Sequence, residues 1–500
     1  MKSVKHTSNV RNAGSSSKVD SYFINKDSNN SDACSAVEGT LAFHTIRHHH
    51  SFRSMDCTSK LQRVLFKDSN IAKQASCART KCEAIINSVL SPHSVNLTID
   101  VLKGISCFGL ATDASNHGSL KIFPILIQYF DVKNGGINTK VIELKAAPNE
   151  KAETIATYII DTVKKFGIEN KCVAFAGDNT NTNFGGLGRA SGNNVLTHLQ
   201  NNLNKKLVGM GCPAHVLHNC VQHGLDSGLS ADIESIALKI FNFFSVYTVR
   251  TEELKSFCDF VEITYQQLLS HSKTRWLSLF PCVSRITEMY PALRSYFLSQ
   301  TSVPVTIRRF FEDELSEARL HFVLSLMSVF QKNITDLEVE TNSVADTVSI
   351  LECTLQTLKD RQTLSFKSLK VKDMLKEKRE AGYIVECDRF ENEINSVYLS
   401  CIDYLEKWMV QYNEMRVFKW MKAKAFPSWE DVEATILYLH DKTDIIIDDV
   451  KCFDQYSNFI RFLRSSEQQK SLSNEVWCSY FNNSPTNDCH SELLKIAAFF

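Results

Sequence analysis

The 500-residue chain contains no apolar run approaching the roughly 20 residues that a helix needs to cross a bilayer, so no membrane partner is expected. Residues 1–30 are polar throughout, and no signal peptide is expected there. C-x-x-C pairs are absent, which argues against a self-contained zinc finger. There is no repeat of fixed period. An excess of one charge is also missing: 56 basic residues balance 56 acidic ones. A protein that grips DNA over a long footprint usually carries a basic excess, so composition supplies no argument for DNA and leaves room only for a local basic groove.

What the chain does have is size and buried-type residues. A 43% hydrophobic fraction over this length can fill a large core and more than one domain. Sixteen cysteines are spread along the chain rather than clustered as in a small secreted scaffold. They read as reduced, intracellular and mostly buried.

The pattern divides the chain. Residues 1–37 are expected to be a disordered tail, since 1–33 are rich in Ser, Asn and Lys with few apolar anchors. A helical segment follows over 38–100, with Leu61, Val64 and Leu65 on one stripe and Ile85, Ile86, Val89 and Leu90 on another. Strand signals then begin over 101–226. Cys107–Thr112 is the first strand, Ile122–Phe130 the second and Val141–Leu144 the third, and Pro124 is awkward for a central strand. Asn149 is placed to cap a helix carrying Ile155, Ile159, Val163 and Phe166, and Gly167 to end it. Val173–Ala176 should run parallel to the first strand after that crossover, and a helix over Asn194–Asn204 leads to a fifth strand, Leu207–Met210. From 227 to 475 the periodicity is helical and reads as an all-α domain, with helices at Leu320–Phe330, Ile394–Val410 and Val432–Leu439.

Two aspartates close strand-like runs: Asp113 after GISCFGLAT and Asp178 after CVAFAG. Carboxylates at the C-terminal ends of adjacent strands position hard cations for phosphodiester chemistry. An Asp at such a place is also common because it accepts backbone hydrogen bonds in turns. The Gly- and Asn-rich loop Asp178–Arg189 lacks the Gly-Lys-Ser/Thr ending of a phosphate-binding loop. Cys212 and His215 resemble half of a zinc site, with His218 as a third ligand, but no second pair lies at suitable spacing. No zinc is predicted; instead Cys212 should pack and His215 should hydrogen-bond near the carboxylates. Arg275 and Trp276, in KTRW, pair a cation with an aromatic that can stack on an extruded base, or the Trp starts a helix in the core. His48–His50 with His44 read as an exposed helix face, and Asp444–Asp449 as a helix rim.

Taken in order, EGTLAFHT from Glu38, SFRSMDC at Ser51–Cys57, ATDAS, AGDNTNTNFGG, CPAHVLHN and KTRW resemble the hAT superfamily of cut-and-paste DNA transposases and their domesticated relatives. The resemblance implies a ribonuclease-H-like α/β core with a mixed five-stranded sheet and a large all-α insertion. It also implies that Asp113 and Asp178 are the first two catalytic carboxylates and ligands of Mg²⁺ or Mn²⁺, that Cys212 and His215 form the family's C-x-x-H motif, and that Trp276 stacks on a flipped base. DNA as a partner and a nuclear location follow from the resemblance alone.

Two departures stand out. Met1–Ala33 has no cysteine for the family's BED zinc finger, and no Glu-Arg-x-Phe-Ser motif supplies the third carboxylate. Residues 476–500 read as the start of the C-terminal dimerisation segment, through which the chain would self-associate if the segment were completed. Glu492, in the helical SELLKIAAFF, reads as a surface residue. The expected protein is transposase-derived and catalytically weak or inactive; the alternative is a domesticated interaction module without catalysis.

Overall fold

In a computed structural model the described residues are 28–188, 192–272, 278–465, 473–483 and 490–499. They fall into two compact units, Met1–Val101 and Leu102–Phe500.

In the first unit the helix Ser28–Arg47 starts within the stretch expected to be a tail, so 28–37 are helical, while the rest of that stretch, 1–27, lies outside the described residues. Short helices follow at Met55–Leu65, Asn70–Gln74 and Arg79–Ile85. Their small core is Ala42, Met55, Cys77, Cys82 and Ile86. Glu38 is buried there because Lys81 pairs with it at 2.6 Å and the Ser76 N–H donates to it at 2.7 Å. The expected stripe Leu61, Val64 and Leu65 is not part of this core: all three are more than half exposed. Val89 is exposed as well, while Ile86 of the same stripe is buried. Periodicity marks which residues share a helix face, but not whether anything covers it.

The second unit is built on a mixed sheet. It has six strands rather than five: β1 Phe108–Ala111, β2 Ser115–His117, β3 Leu120–Asp131, β4 Gly136–Ala147, β5 Cys172–Gly177 and β6 Val208–Gly211. The order is β2-β3-β1-β5-β6, with β4 on β3. β3 pairs antiparallel with β1, β2 and β4, whereas β1–β5 and β5–β6 are parallel. The additional strand, β2, is an exposed three-residue hairpin arm without an apolar pattern, which is why alternation does not reveal it. Pro124 is tolerated within β3 because it lies between the stretch paired with β2 and the stretch paired with β1. The Thr112 hydroxyl donates to the Pro124 carbonyl across that gap at 2.7 Å.

Helix α1, Ala152–Phe166, connects β4 to β5, and Gly167 ends it in the left-handed region at φ 65°. The residue at its N-cap is Lys151, not Asn149; Asn149 instead accepts the Lys151 N–H at 3.0 Å one turn earlier. Helix α2, Val195–Leu203, is capped by the Asn194 side chain and connects β5 to β6. Helix α3, Pro213–Gly228, leaves β6 directly, with Pro213 in its first turn.

The remaining described residues are mostly helical. Their longest helix, α4 (Ile384–Asn413), lies along α3. Gly224 and Gly228 allow the approach: a Cβ at Gly228 would sit 2.6 Å from the backbone N of Val397. The last helix, α5 (Ser491–Phe499), returns to β1 and β3. One apolar cluster therefore runs from Phe130 on the sheet through the helices to Ala497. Glu492 in α5 is not a surface residue: it is 5% exposed, accepts the Asp448 N–H at 3.0 Å and pairs with Lys495 at 2.8 Å. Asp444–Asp449 is largely the loop before Asp449–Ser465, with the Asp448 side chain accepting the Lys451 N–H.

Candidate active site at the strand ends

β1, β5 and β6 run parallel as neighbours, so their C-terminal ends leave the sheet together. Ala111 lies opposite Ala176, and Gly177 opposite Gly211. The ladders continue one step further, through Thr112 N–H to the Ala176 carbonyl at 3.2 Å and Cys212 N–H to the Gly177 carbonyl at 2.8 Å. Asp113, Asp178 and Cys212 follow these pairings at once. Asp113 and Asp178 line one cleft of about 80 Å³.

The two carboxylates are held differently. Asp178 Oδ1 accepts from Asn183 Nδ2 at 2.5 Å and from Thr180 Oγ1 at 2.8 Å. No hydrogen bond among the described residues reaches its Oδ2. Thr180 also caps the short helix Asn181–Phe184, so one turn fixes both the helix and the carboxylate. Gly177 fits here because a Cβ would lie 2.9 Å from Asn183 Nδ2. Asp113 is exposed and makes no hydrogen bond or ion pair among the described residues, although the adjacent Thr112 is tied to Pro124.

A third carboxylate lines the same cleft. Glu150, in the loop before α1, is paired with Lys121 at 2.7 Å. No local signal distinguishes it in the sequence, since it reads as a polar residue between a turn Asn and a Lys. The cleft wall it shares with β1 and β5 exists only once β3 and β4 have folded beside them.

Cys212 and His215 sit at the start of α3, beside the carboxylates. A hydrogen bond with Cys212 raises the affinity of His215 for a proton above that of an ordinary imidazole, and the fields of Asp113 and Asp178 add to this against partial desolvation. His218, one turn on, moves the other way: burial, then the neighbouring His215 and His271, push it down to about 4. His271 is buried, 2.9 Å from Ser278 Oγ through Nδ1 and 3.3 Å from Glu234 through Nε2. Ser278 Oγ also accepts the Ser272 N–H at 3.1 Å. Arg275 and Trp276 themselves lie outside the described residues.

Helix α4 is braced to this end of the sheet. Tyr412 donates to the Gly211 carbonyl at 2.6 Å, and Asn179 donates to the Cys212 carbonyl at 2.8 Å while accepting from Gln411. Glu492 is not among the residues lining the cleft. Among the described residues no three His, Cys, Asp or Glu side chains form a ready metal cage.

No family model matches the chain.

A larger groove of about 740 Å³ runs beside β6 and α4. Lys205, Lys206, Lys407 and Lys442 line it with Trp408, against Glu414 and Asp441. Both acids are held by Lys442, at 3.2 and 3.3 Å. Lys205 and Lys206 donate to the backbone carbonyls of Asn170 and His440, and Lys407 makes no ion pair among the described residues. The groove therefore keeps a local positive excess in a chain of zero net charge. Sequence reasoning missed it because its lysines come from segments some 200 residues apart.

Proposed function

We propose that the second unit is a ribonuclease-H-like core, resembling that of hAT transposases, and that its chemistry is divalent-metal-dependent cleavage of a DNA phosphodiester. The observation that carries this reading is the placement of Asp113 and Asp178 at the same ends of adjacent parallel strands, lining one cleft. The donors fit a hard cation such as Mg²⁺ or Mn²⁺: among the described residues Asp113 has no hydrogen-bond or ion-pair partner, and Asp178 is anchored through Oδ1 with no bond to Oδ2. When bound, such an ion supplies Lewis-acid polarisation of a phosphate and activation of a water or 3′-hydroxyl.

The chain's own groups have narrower roles. Thr180 and Asn183 hold Asp178 in one orientation. His215 lies beside the carboxylates with its proton affinity raised, and its protonated form lowers their mutual repulsion. The lysine groove offers a path for nucleic-acid phosphates, with Trp408 as a stacking surface. The Glu-Arg-x-Phe-Ser motif expected to carry a third carboxylate does not occur in this sequence, and this reading expects a catalytically weak or inactive protein. A nuclear site of action, and self-association through the C-terminal segment if that segment is completed, belong to the same reading.

The groove favours a second reading, a nucleic-acid-binding module without catalysis. Substituting Asp113→Asn separates the two. The enzymatic reading expects loss of Mn²⁺ binding and of nicking on hairpin or end DNA, with DNA retention unchanged. If Mn²⁺ binding and nicking are the same in both proteins while DNA is still retained, the binding module is the correct description.

A further inference from the structure

We propose that His44, His48 and His50 form a capture site for a divalent transition-metal ion that prefers imidazole, such as Ni²⁺ or Zn²⁺, within the first unit. The backbone brings the three together. His44 and His48 are one helical turn apart, the spacing at which two histidines on a helix can bind one ion. The helix Ser28–Arg47 then closes with a reversal: the His49 N–H donates to the Ile46 carbonyl at 3.1 Å and the His50 N–H to the Thr45 carbonyl at 2.9 Å. This is the paired bonding of a Schellman cap, which normally places glycine at the left-handed position. Here His49 occupies it, at φ 53°, a conformation that a residue with a Cβ rarely adopts.

The consequence is that His50 folds back over the helix end rather than continuing away from it. Its ring centre lies 5.3 Å from that of His44 and 6.0 Å from that of His48, and the His44 and His48 rings are 4.5 Å apart. Imidazoles bound through nitrogen to one tetrahedral ion at about 2.0–2.1 Å have ring centres roughly 5 Å apart. The ring centres are near that separation, and the rings must turn for their nitrogens to converge on one ion.

As posed, the rings lie against one another and do not form a ready cage. All three side chains are exposed, so rotation about their side-chain bonds meets no packed neighbour. A cation here also sits at the carbonyl end of a 20-residue helix, where the helix dipole favours positive charge. Arg47, in the same turn, opposes that effect without blocking the imidazoles. Neutral imidazole nitrogen is the ligand type preferred by borderline divalent ions over Mg²⁺ or Ca²⁺.

The test is a Ni²⁺ titration of the full chain by calorimetry, alongside diethylpyrocarbonate labelling read by mass spectrometry. The wild-type protein is expected to bind one equivalent at this site, with His44, His48 and His50 protected from labelling when Ni²⁺ is present. His44→Gln, His48→Gln and His50→Gln should each weaken binding by more than the about 10-fold that loss of an outer-shell partner costs. His49→Gly relieves the left-handed strain and should keep the ion. Unchanged titration in all three Gln variants, or equal labelling with and without Ni²⁺, overturns the proposal. Loss of binding in His49→Gly overturns this choice of ligands.

Discussion

At the scale of single residues, the strand-end site is a set of opposed electrostatic demands. His215 is pulled toward its charged form by Cys212 and the two aspartates, while His218 is pushed toward its neutral form by burial and by the imidazoles beside it. The sign of the resulting pH dependence follows from linkage. His218 has a folded value near 4, below the ordinary 6.5, so the unfolded chain binds more protons between these limits. Its contribution to stability is complete above about 6.5 and is lost as pH falls toward 4. His215 behaves oppositely, stabilising below 6.5 and losing that contribution as pH rises through its raised value. His218→Gln is therefore expected to flatten the decline of urea midpoints between pH 7 and pH 4.5, and a decline as steep as that of the wild type would contradict the assignment. Asp113→Asn should lower the proton affinity of His215, read as a shift of its diethylpyrocarbonate reactivity profile to lower pH. Both aspartates were legible in the sequence because each ends an apolar strand-like run. Glu150 was not, because its role depends on which strands fold beside it.

At the scale of elements, the pairing of α3 with α4 decides where the helical region sits. Local periodicity identifies both helices, yet nothing local says that Gly224 and Gly228 face the same partner. The structure shows why these two positions carry no side chain. A Cβ at Gly228 would meet Val397 backbone atoms at 2.6 and 2.7 Å, and one at Gly224 would meet Cys401 Sγ at 2.2 Å. Backbone cannot swing aside as a flexible side chain can, so Gly228→Ala is expected to cost about 1–3 kcal/mol or more. Replacing glycine by alanine in a helix otherwise gains roughly 0.8–1 kcal/mol. A drop in the guanidinium midpoint at unchanged slope would show that the close contact outweighs the propensity gain; a rise would mean that the helices are farther apart than described. The exposed stripe Leu61, Val64 and Leu65 teaches the converse, since a clear apolar period in the sequence met no partner within the first unit.

At the scale of the whole molecule, the continuity of the apolar cluster ties the last helices to the sheet. Trp477 is fully buried, stacked on Phe459 at 4.2 Å, and donates from its indole N–H to the Met421 carbonyl at 2.7 Å. Trp477→Ala is expected to destabilise the second unit by about 3–5 kcal/mol, from lost burial and the cavity left behind. Hydrogen exchange should then show loss of protection in β4 as well as near residue 477, because the helix Ser473–Asn482 that carries Trp477 rests on that strand. Loss confined to residues near 477 would mean that the terminal helices open without the sheet.

The sequence by itself determined the order of five of the six strands and of the helices between them, and the two aspartates at strand termini. It missed β2 and set some elements short, as with Val141–Leu144 inside Gly136–Ala147 and Ile394–Val410 inside Ile384–Asn413. What it determined depends on short-range physics: alternation in strands, the 3.6-residue period in helices, and side chains or glycines that satisfy the groups at their ends. Only the tertiary structure decided which faces are covered, that Glu492 is buried, that Glu150 joins the cleft, and that lysines from distant segments share a groove. Those outcomes are set by contacts between residues tens to hundreds of positions apart, whose geometry no local pattern encodes.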